Sequence, residues 1–295
     1  MTDRNALDLT DPEQFGLARY FVETDVGRIA VVEKGTGPAA VFLHGLPLNG
    51  FQFRYQLRDL SDLRRCIAID LMGLGYTDVS DTQDLSFRAQ ASMVLATLDR
   101  LGVRDFDLVG VDSGGGIAQI VAAIAPRRIR SLVLTNADVH DNYPPPAISA
   151  AHQAAEAGKL DQLFAAYLAD PVMARGASSL TALAYEAPDR ITDDALKMYL
   201  EPITSTDVRR ANVNRFLVSQ DNRQTVAIEP NLRELETPTL IMWATDDIFF
   251  DVKWAYWLRD TLAGPVEVIE FPGAKLFFVE ERYDAVNRLI RRHWG

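Results

Sequence analysis

The stretch Leu108-Val-Gly-Val-Asp-Ser-Gly-Gly-Gly-Ile-Ala-Gln119 decides how the rest of the chain is read. An apolar run enters it, three consecutive glycines follow, and an apolar helical run from Gly116 to Ala125 leaves it, stopped by Pro126. Where a strand turns sharply into a helix, the residue at the bend takes strained dihedrals, and side chains two positions before and after it would collide. Two frames fit this spacing. Centred on Asp112 the flanks are Gly110 and Gly114; centred on Ser113 they are Val111 and Gly115. A branched valine suits the first small position poorly, so Asp112 is the expected nucleophile. A phosphate-binding turn fits worse. The glycines do not follow G-x-G-x-x-G, no G-K-[ST] comes after them, and an acidic centre repels phosphate.

Outward from this bend, Ala39–Leu43, Arg65–Asp70, Phe106–Val111 and Arg130–Thr135 are short apolar runs with little polar alternation. Such runs predict parallel strands covered by helices on both faces. Tyr20–Thr24 and Arg28–Glu33, separated by Asp25-Val-Gly27, predict a hairpin. From Ser86 to Leu101 the apolar spacing is helical, with Ser86 as cap and Gly102 as stop. Strands and helices in close alternation predict an α/β fold with a doubly wound, mostly parallel sheet. The pattern changes at Asp138. Tyr143-Pro-Pro-Pro146 breaks regular structure, and the chain is then Ala-rich and helical to about Glu236. Strands return at Thr239–Trp243 and Val266–Phe271, and Asp284–Trp294 reads as a closing helix. The expected organisation is a core of residues 1–138 and 237–295 interrupted by an inserted helical cap, residues 139–236.

Composition narrows the function. Of 295 residues, 48% are hydrophobic and 24% charged, which excludes a disordered or fibrous chain. Thirty basic against 41 acidic residues give a formal charge of -11, which speaks against nucleic-acid or anionic-membrane partners. Cys66 is the only cysteine, so neither an internal disulfide nor a cysteine zinc cage is expected. Met1-Thr-Asp-Arg-Asn-Ala6 is polar, unlike a secretory signal, and no run approaches the roughly 20 apolar residues of a membrane span. The expectation is a soluble, cytoplasmic protein with a small-molecule substrate and neither metal nor cofactor.

Around the bend the sequence resembles the α/β-hydrolase superfamily, and within it the Asp-nucleophile branch of epoxide hydrolases and haloalkane dehalogenases. His44-Gly45-Leu46-Pro47 is similar to that family's H-G-x-P turn, and Asp70-Leu-Met-Gly-Leu-Gly-Tyr-Thr-Asp78 to its D-x-x-G-x-G-x-S-D segment. The resemblance implies an oxyanion hole made by the backbone N–H groups of Leu46 and Ser113. It also implies a supporting acid at Asp247, in Trp243-Ala-Thr-Asp-Asp-Ile-Phe249. Against the pattern, the position of the catalytic histidine, in Phe271-Pro-Gly-Ala-Lys-Leu-Phe277, holds Leu276, with Lys275 before it.

Leucine accepts no proton, so the base that would activate water against an Asp112 ester must come from elsewhere. Of the four histidines, His140 follows the strand beside the bend and is the expected substitute, flanked by Asp138 and Asp141. His44 is expected to hold its turn, His293 to be exposed, and His152 to lie in the cap. The dehalogenase halide cradle, a Trp beside the nucleophile and an Asn in the H-G-x-P turn, is replaced by Ser113 and Leu46. Epoxide or other oxygen-leaving chemistry is therefore expected over halide chemistry. Tyr143, Tyr167, Tyr185 and Tyr199 are candidate proton donors in the cap, which is otherwise suited to a small apolar substrate. Two alternatives remain: a cofactor-independent lyase or isomerase with Asp112 as base, and a non-catalytic small-molecule binder of the same fold.

Overall fold

Eight strands form one sheet: β1 (Tyr20–Thr24), β2 (Gly27–Lys34), β3 (Ala39–Leu43), β4 (Arg65–Ile69), β5 (Phe106–Asp112), β6 (Ile129–Ala137), β7 (Thr239–Ala244) and β8 (Val266–Phe271). Their order is β1-β2-β4-β3-β5-β6-β7-β8. β1 pairs with β2, and β2 with β4, in antiparallel fashion; every other pairing is parallel. The structure, a computed structural model, describes residues 6–295, so the polar start read in the sequence lies almost wholly outside the described residues. β3, β5 and β7 are buried along their whole length, which is why they read as unbroken apolar runs. The edge strands β1 and β8 are half-exposed, and both carry glutamate, Glu23 in β1 and Glu267 and Glu270 in β8.

This order places a topological switch beside β3, which has β4 on one side and β5 on the other. The chain leaves β3 and β5 in diverging directions, and the crevice between the two connections is where a doubly wound sheet binds ligands. Leu43, at the end of β3, is in register with Gly110 near the end of β5. The loops carrying Leu46 and Asp112 therefore face one another.

Helix Phe87–Arg100 begins as expected, with the Ser86 hydroxyl accepting the Ala89 N–H. The helix after β5 begins earlier than its sequence suggests, spanning Ser113–Ile124 and absorbing all three glycines. Glycine is a poor helix former, but here close packing demands it and overrides propensity. A Cβ on Gly114 would lie 2.2 Å from the Leu43 carbonyl oxygen, and one on Gly115 would lie 2.4 Å from the Ala137 Cβ.

Between Ala137 and Thr239 the described residues form helices and turns without a strand. The longer helices are Ser149–Glu156, Leu160–Ala169, Asp193–Thr204 and Asp207–Ser219. Phe164, Tyr199 and Phe216 give this insert its own buried apolar contacts. Polar ties fix it to the sheet layer. Asn49 Nδ2 donates to the Met198 carbonyl at 2.8 Å. The Arg209 guanidinium donates to the Gly75 and Tyr76 carbonyls and pairs with Asp78. Among the described residues no helix is long and apolar enough to cross a membrane.

Candidate active site

Asp112 stands at the junction of β5 and its helix with φ 55 and ψ -130. A non-glycine residue in this region is strained, and the surroundings must hold it there. Gly110 and Gly114 supply the space. A Cβ on Gly110 would sit 2.6 Å from the Gly114 carbonyl oxygen, while Val111 is accommodated in the core. These are the flanks of the frame centred on Asp112.

The H-G-x-P turn closes over the carboxylate. Leu46 N–H donates to Asp112 Oδ2 at 2.9 Å. The Ser113 backbone N–H is close enough to favour the charged carboxylate. Gly45 has to be glycine, because a Cβ there would lie 2.1 Å from Asp112 Oδ2. His44 is fully buried and locks the turn: its Nε2 accepts the Leu71 N–H at 3.0 Å, which leaves Nδ1 to donate to the Gly45 carbonyl at 2.9 Å. Burial pushes its pKa down, so it is a neutral strut. Asp70 braces the other side, accepting N–H groups from Gly50 and Tyr76 at 2.8 Å each.

Two further carboxylates lie near Asp112. Asp138, the first residue after β6, is 1% exposed, and neither of its oxygens finds a hydrogen-bond partner of good geometry. Burial pushes its pKa up to about 7, offset only in part by the nearby Ser113 hydroxyl. Burial first, then the Asp138 charge, push Asp112 well above the usual carboxylate range; the Leu46 and Ser113 N–H groups pull the other way, and Asp247 adds repulsion. Asp247 is held differently. Its Oδ2 accepts from Asn136 Nδ2 at 2.7 Å and its Oδ1 from the Phe249 N–H at 2.8 Å. Burial raises it to about 7 as well. Asn136 is fixed in turn by the Ala244 main chain, at 3.1 Å to its carbonyl and 2.7 Å from its N–H. Asp247 thus stands buried after β7, and its oxygens bond an amide and a backbone N–H.

A cavity lies over Asp112 with about 90 Å³ available to the centres of water-sized molecules, room for a compact organic ligand. Leu46, Asp112, Ser113, Asp138 and Leu276 contribute from the sheet layer, and the rest of the wall is largely apolar side chains of the helical insert. Leu276 faces this space where a proton acceptor was sought. Lys275 is directed elsewhere, its Nζ donating to the Ala182 carbonyl at 2.6 Å.

The structure does not bring His140 into the cavity. Two residues beyond Asp138 the backbone turns at φ 50, and the imidazole leaves the crevice. Its Nε2 meets Glu229 Oε2 at 2.8 Å, and its ring packs against Trp254 and Trp257 with centroids 6.4 and 4.7 Å away. Asp138 takes the place over the site that sequence spacing suggested for His140. A lone aspartate among the acidic residues of Asn136-Ala-Asp-Val-His-Asp-Asn142 gives no pattern to single it out. Its one legible signal was its position, directly behind a strand neighbouring the bend.

All four tyrosines named from the sequence line the cavity, but three have committed hydroxyls. Tyr143 donates to the Leu217 carbonyl, and Tyr185 and Tyr199 donate to Glu280 Oε2 at 2.8 and 3.1 Å. Tyr167 accepts the Leu180 N–H at 3.2 Å, which leaves its own proton to be offered. No histidine, lysine, arginine, tryptophan or amide side chain occurs among the described residues that line the cavity. Nor do the described residues contain a cluster of three or more potential metal ligands.

A strained acidic bend at the switch point, roofed by a backbone N–H and a helical insert, places the chain in a class that the family comparison identifies. The model of the alpha/beta hydrolase fold matches residues 38–282, and the protein belongs to that family. Haloalkane dehalogenase 2 of Mycobacterium tuberculosis (strain ATCC 25618 / H37Rv) is 24% identical, over 98% of this chain and 100% of the relative. Epoxide hydrolase 4 of Homo sapiens is 23% identical, over 89% of this chain and 73% of the relative. Among solved structures, an alpha/beta hydrolase fold protein from Burkholderia ambifaria matches with a TM-score of 0.78 at 22% identity, covering 92% of this chain and 96% of that one.

Proposed function

We propose that this protein hydrolyses a small, largely apolar electrophile whose leaving atom is oxygen, an epoxide or a close chemical analogue, through an ester formed on Asp112. The observation that carries this reading is the Asp112 carboxylate. It is strained at the bend, held by the Leu46 N–H at 2.9 Å, and open to the apolar cavity. The same N–H groups that orient the carboxylate for attack on carbon would hold the oxyanion formed when water later adds to the ester. Oxygen is favoured over halide as the leaving atom because no described residue of the cavity wall offers a side-chain N–H to cradle a halide, whereas Tyr167 has an O–H to offer the opening oxygen. The small, apolar wall favours a compact neutral substrate. Relatives named for epoxide hydrolysis and for dehalogenation bracket the same chemistry.

The test is to incubate the protein with terminal aryl and alkyl epoxides and with primary alkyl bromides, following intact mass and released product. The expected result is diol from at least one epoxide, a transient mass increase located on the peptide containing Asp112, and no bromide release. Asp112→Ala should lose both adduct and diol. Absence of adduct and product with every epoxide would refute the reading.

A further inference from the structure

An ester on Asp112 has to be cleaved before the enzyme can turn over again. Cleavage needs a group that takes a proton from water within reach of the ester carbonyl. Among the described residues lining the cavity, only Asp112 and Asp138 can serve near neutrality; the others are apolar side chains, tyrosines, Ser113 and Thr181. Asp112 is consumed by the ester. Asp138 is 1% exposed, it opens onto the same cavity, and neither of its oxygens has a hydrogen-bond partner of good geometry, the Ser113 hydroxyl being nearby. A buried, unpaired carboxylate is costly and is rarely retained for structure alone.

The position of Asp138 is fixed from behind. Gln119 Nε2, from the helix after the bend, donates to its backbone carbonyl at 2.8 Å. Gly116 of the same helix lies so close that a Cβ there would be 3.0 Å from the Asp138 Cβ. The groups facing the pair are Ser113 and Gln119 from that helix, Tyr143 from the insert and Asp247 from the loop after β7. None is a cation, so the two carboxylates are left to manage each other's charge.

The geometry points to Asp138 as the catalytic acid–base group of this site, standing in for the absent histidine and hydrolysing the Asp112 ester, an assignment that rests on the ester chemistry proposed above. At rest the pair holds one proton. The two carboxylates share it, and the form that attacks is the one with the charge on Asp112, where the Leu46 N–H bonds the carboxylate, and the proton on Asp138. In the first step an Asp112 oxygen bonds to the epoxide carbon, the carbon–oxygen bond of the ring breaks, and the proton of the pair passes through the cavity to the opened oxygen. Asp112 is now a neutral ester, and Asp138 has given up its proton beside it. Asp138 becomes a carboxylate when a base is needed.

In the second step Asp138 takes a proton from water and the resulting hydroxide bonds to the Asp112 carboxyl carbon. The Leu46 and Ser113 N–H groups hold the oxyanion. The bond from that carbon to the product oxygen then breaks, and the proton carried in by the hydroxide moves to the departing alkoxide. Asp112 is again a carboxylate and Asp138 a carboxylic acid, as at the start. No oxidant, metal or cofactor enters the balance.

The experiment is a pulse of one terminal epoxide on the full-length protein and on Asp138→Asn, with intact mass followed over time in water enriched in oxygen-18. The unaltered protein should form the ester transiently and gain the heavy isotope in the Asp112 carboxylate. Asp138→Asn should form the same ester but lose it at least ~100-fold more slowly, so that it accumulates. Ester loss from Asp138→Asn within threefold of the unaltered protein would overturn the role of Asp138 while leaving the Asp112 ester intact. An unaltered protein giving neither ester nor diol would overturn both. Should Asp138→Asn fail to fold, the pH dependence of ester decay in the unaltered protein decides. A tenfold loss of rate per pH unit on the acid side supports Asp138, and a flat profile overturns it.

Discussion

At the scale of the residue, the site depends on what is absent from two glycines. Gly110 lets the bend at Asp112 form, and Gly45 lets the H-G-x-P turn come within bonding distance of its carboxylate. Gly45→Ala would put a methyl group 2.1 Å from Asp112 Oδ2 and 2.4 Å from its Cβ, so turn or carboxylate must move. Because displacement of about 1 Å at a reacting group costs on the order of 100-fold, alkylation of Asp112 should slow 10- to 100-fold, at a rough estimate, with the fold retained. Time-resolved intact mass measures this, and an unchanged rate would contradict the placement of the turn. The same steric rule made Asp112 legible in the sequence, since only glycines can stand two residues either side of such a bend. Asp138 and His140 show where reading by residue type ended. Both follow β6, and a φ of 50 at His140 determines which one faces the cavity. No pattern in the amino acids announces that turn.

At the scale of the element, the alternation of strand and helix was readable because buried parallel strands are uniformly apolar. The tripeptide Gly114-Gly-Gly116 concealed the start of its helix, because local propensity and the packing against Leu43 and Ala137 pull in opposite directions. How the helical insert is tied down was not readable, because its ties join residues far apart in the chain. Arg54, beside the 3-10 turn Gly50–Phe53, pairs with Glu280 at 2.7 Å, and side-chain exposures of 10% and 5% make this a buried pair. Glu280 also accepts the hydroxyls of Tyr185 and Tyr199, both of which line the cavity. Glu280→Gln retains an acceptor for the phenols but leaves the Arg54 charge without its counter-ion. Breaking a buried pair in this way should cost about 3–5 kcal/mol. Asp62→Asn removes the exposed partner of Arg291, 62% accessible, and should cost about 0–1 kcal/mol. Denaturant titration of the two variants compares them directly. Similar midpoints would mean that the Arg54–Glu280 pair does not anchor the insert.

At the scale of the whole molecule, the site bears on how stability varies with pH. Asp138 and Asp247 are raised by burial to about 7 from an ordinary 3.8, and Asp112 is raised too. Between those limits the folded chain binds protons that the unfolded chain has already released. Stability therefore falls as pH rises through about 7 and is recovered on acidification. For Asp247 alone the difference amounts to about 4 kcal/mol at most. The formal charge of -11 acts in the same direction, since protonation also relieves general repulsion. Opposing this below about pH 4 are exposed carboxylates such as Asp62 and Asp221. Hydrogen bonds from arginines hold them below their ordinary value, and their contribution is lost as they protonate. The melting temperature should therefore be higher at about pH 5.5 than at about pH 8. Asp247→Asn keeps a polar group beside Asn136 and the Phe249 N–H but removes one titration, so its curve should be flatter over that interval. Thermal unfolding of both proteins across the range supplies the comparison. Parallel curves would show that Asp247 titrates normally, and that the carboxylates around the bend are not confined in a dry pocket.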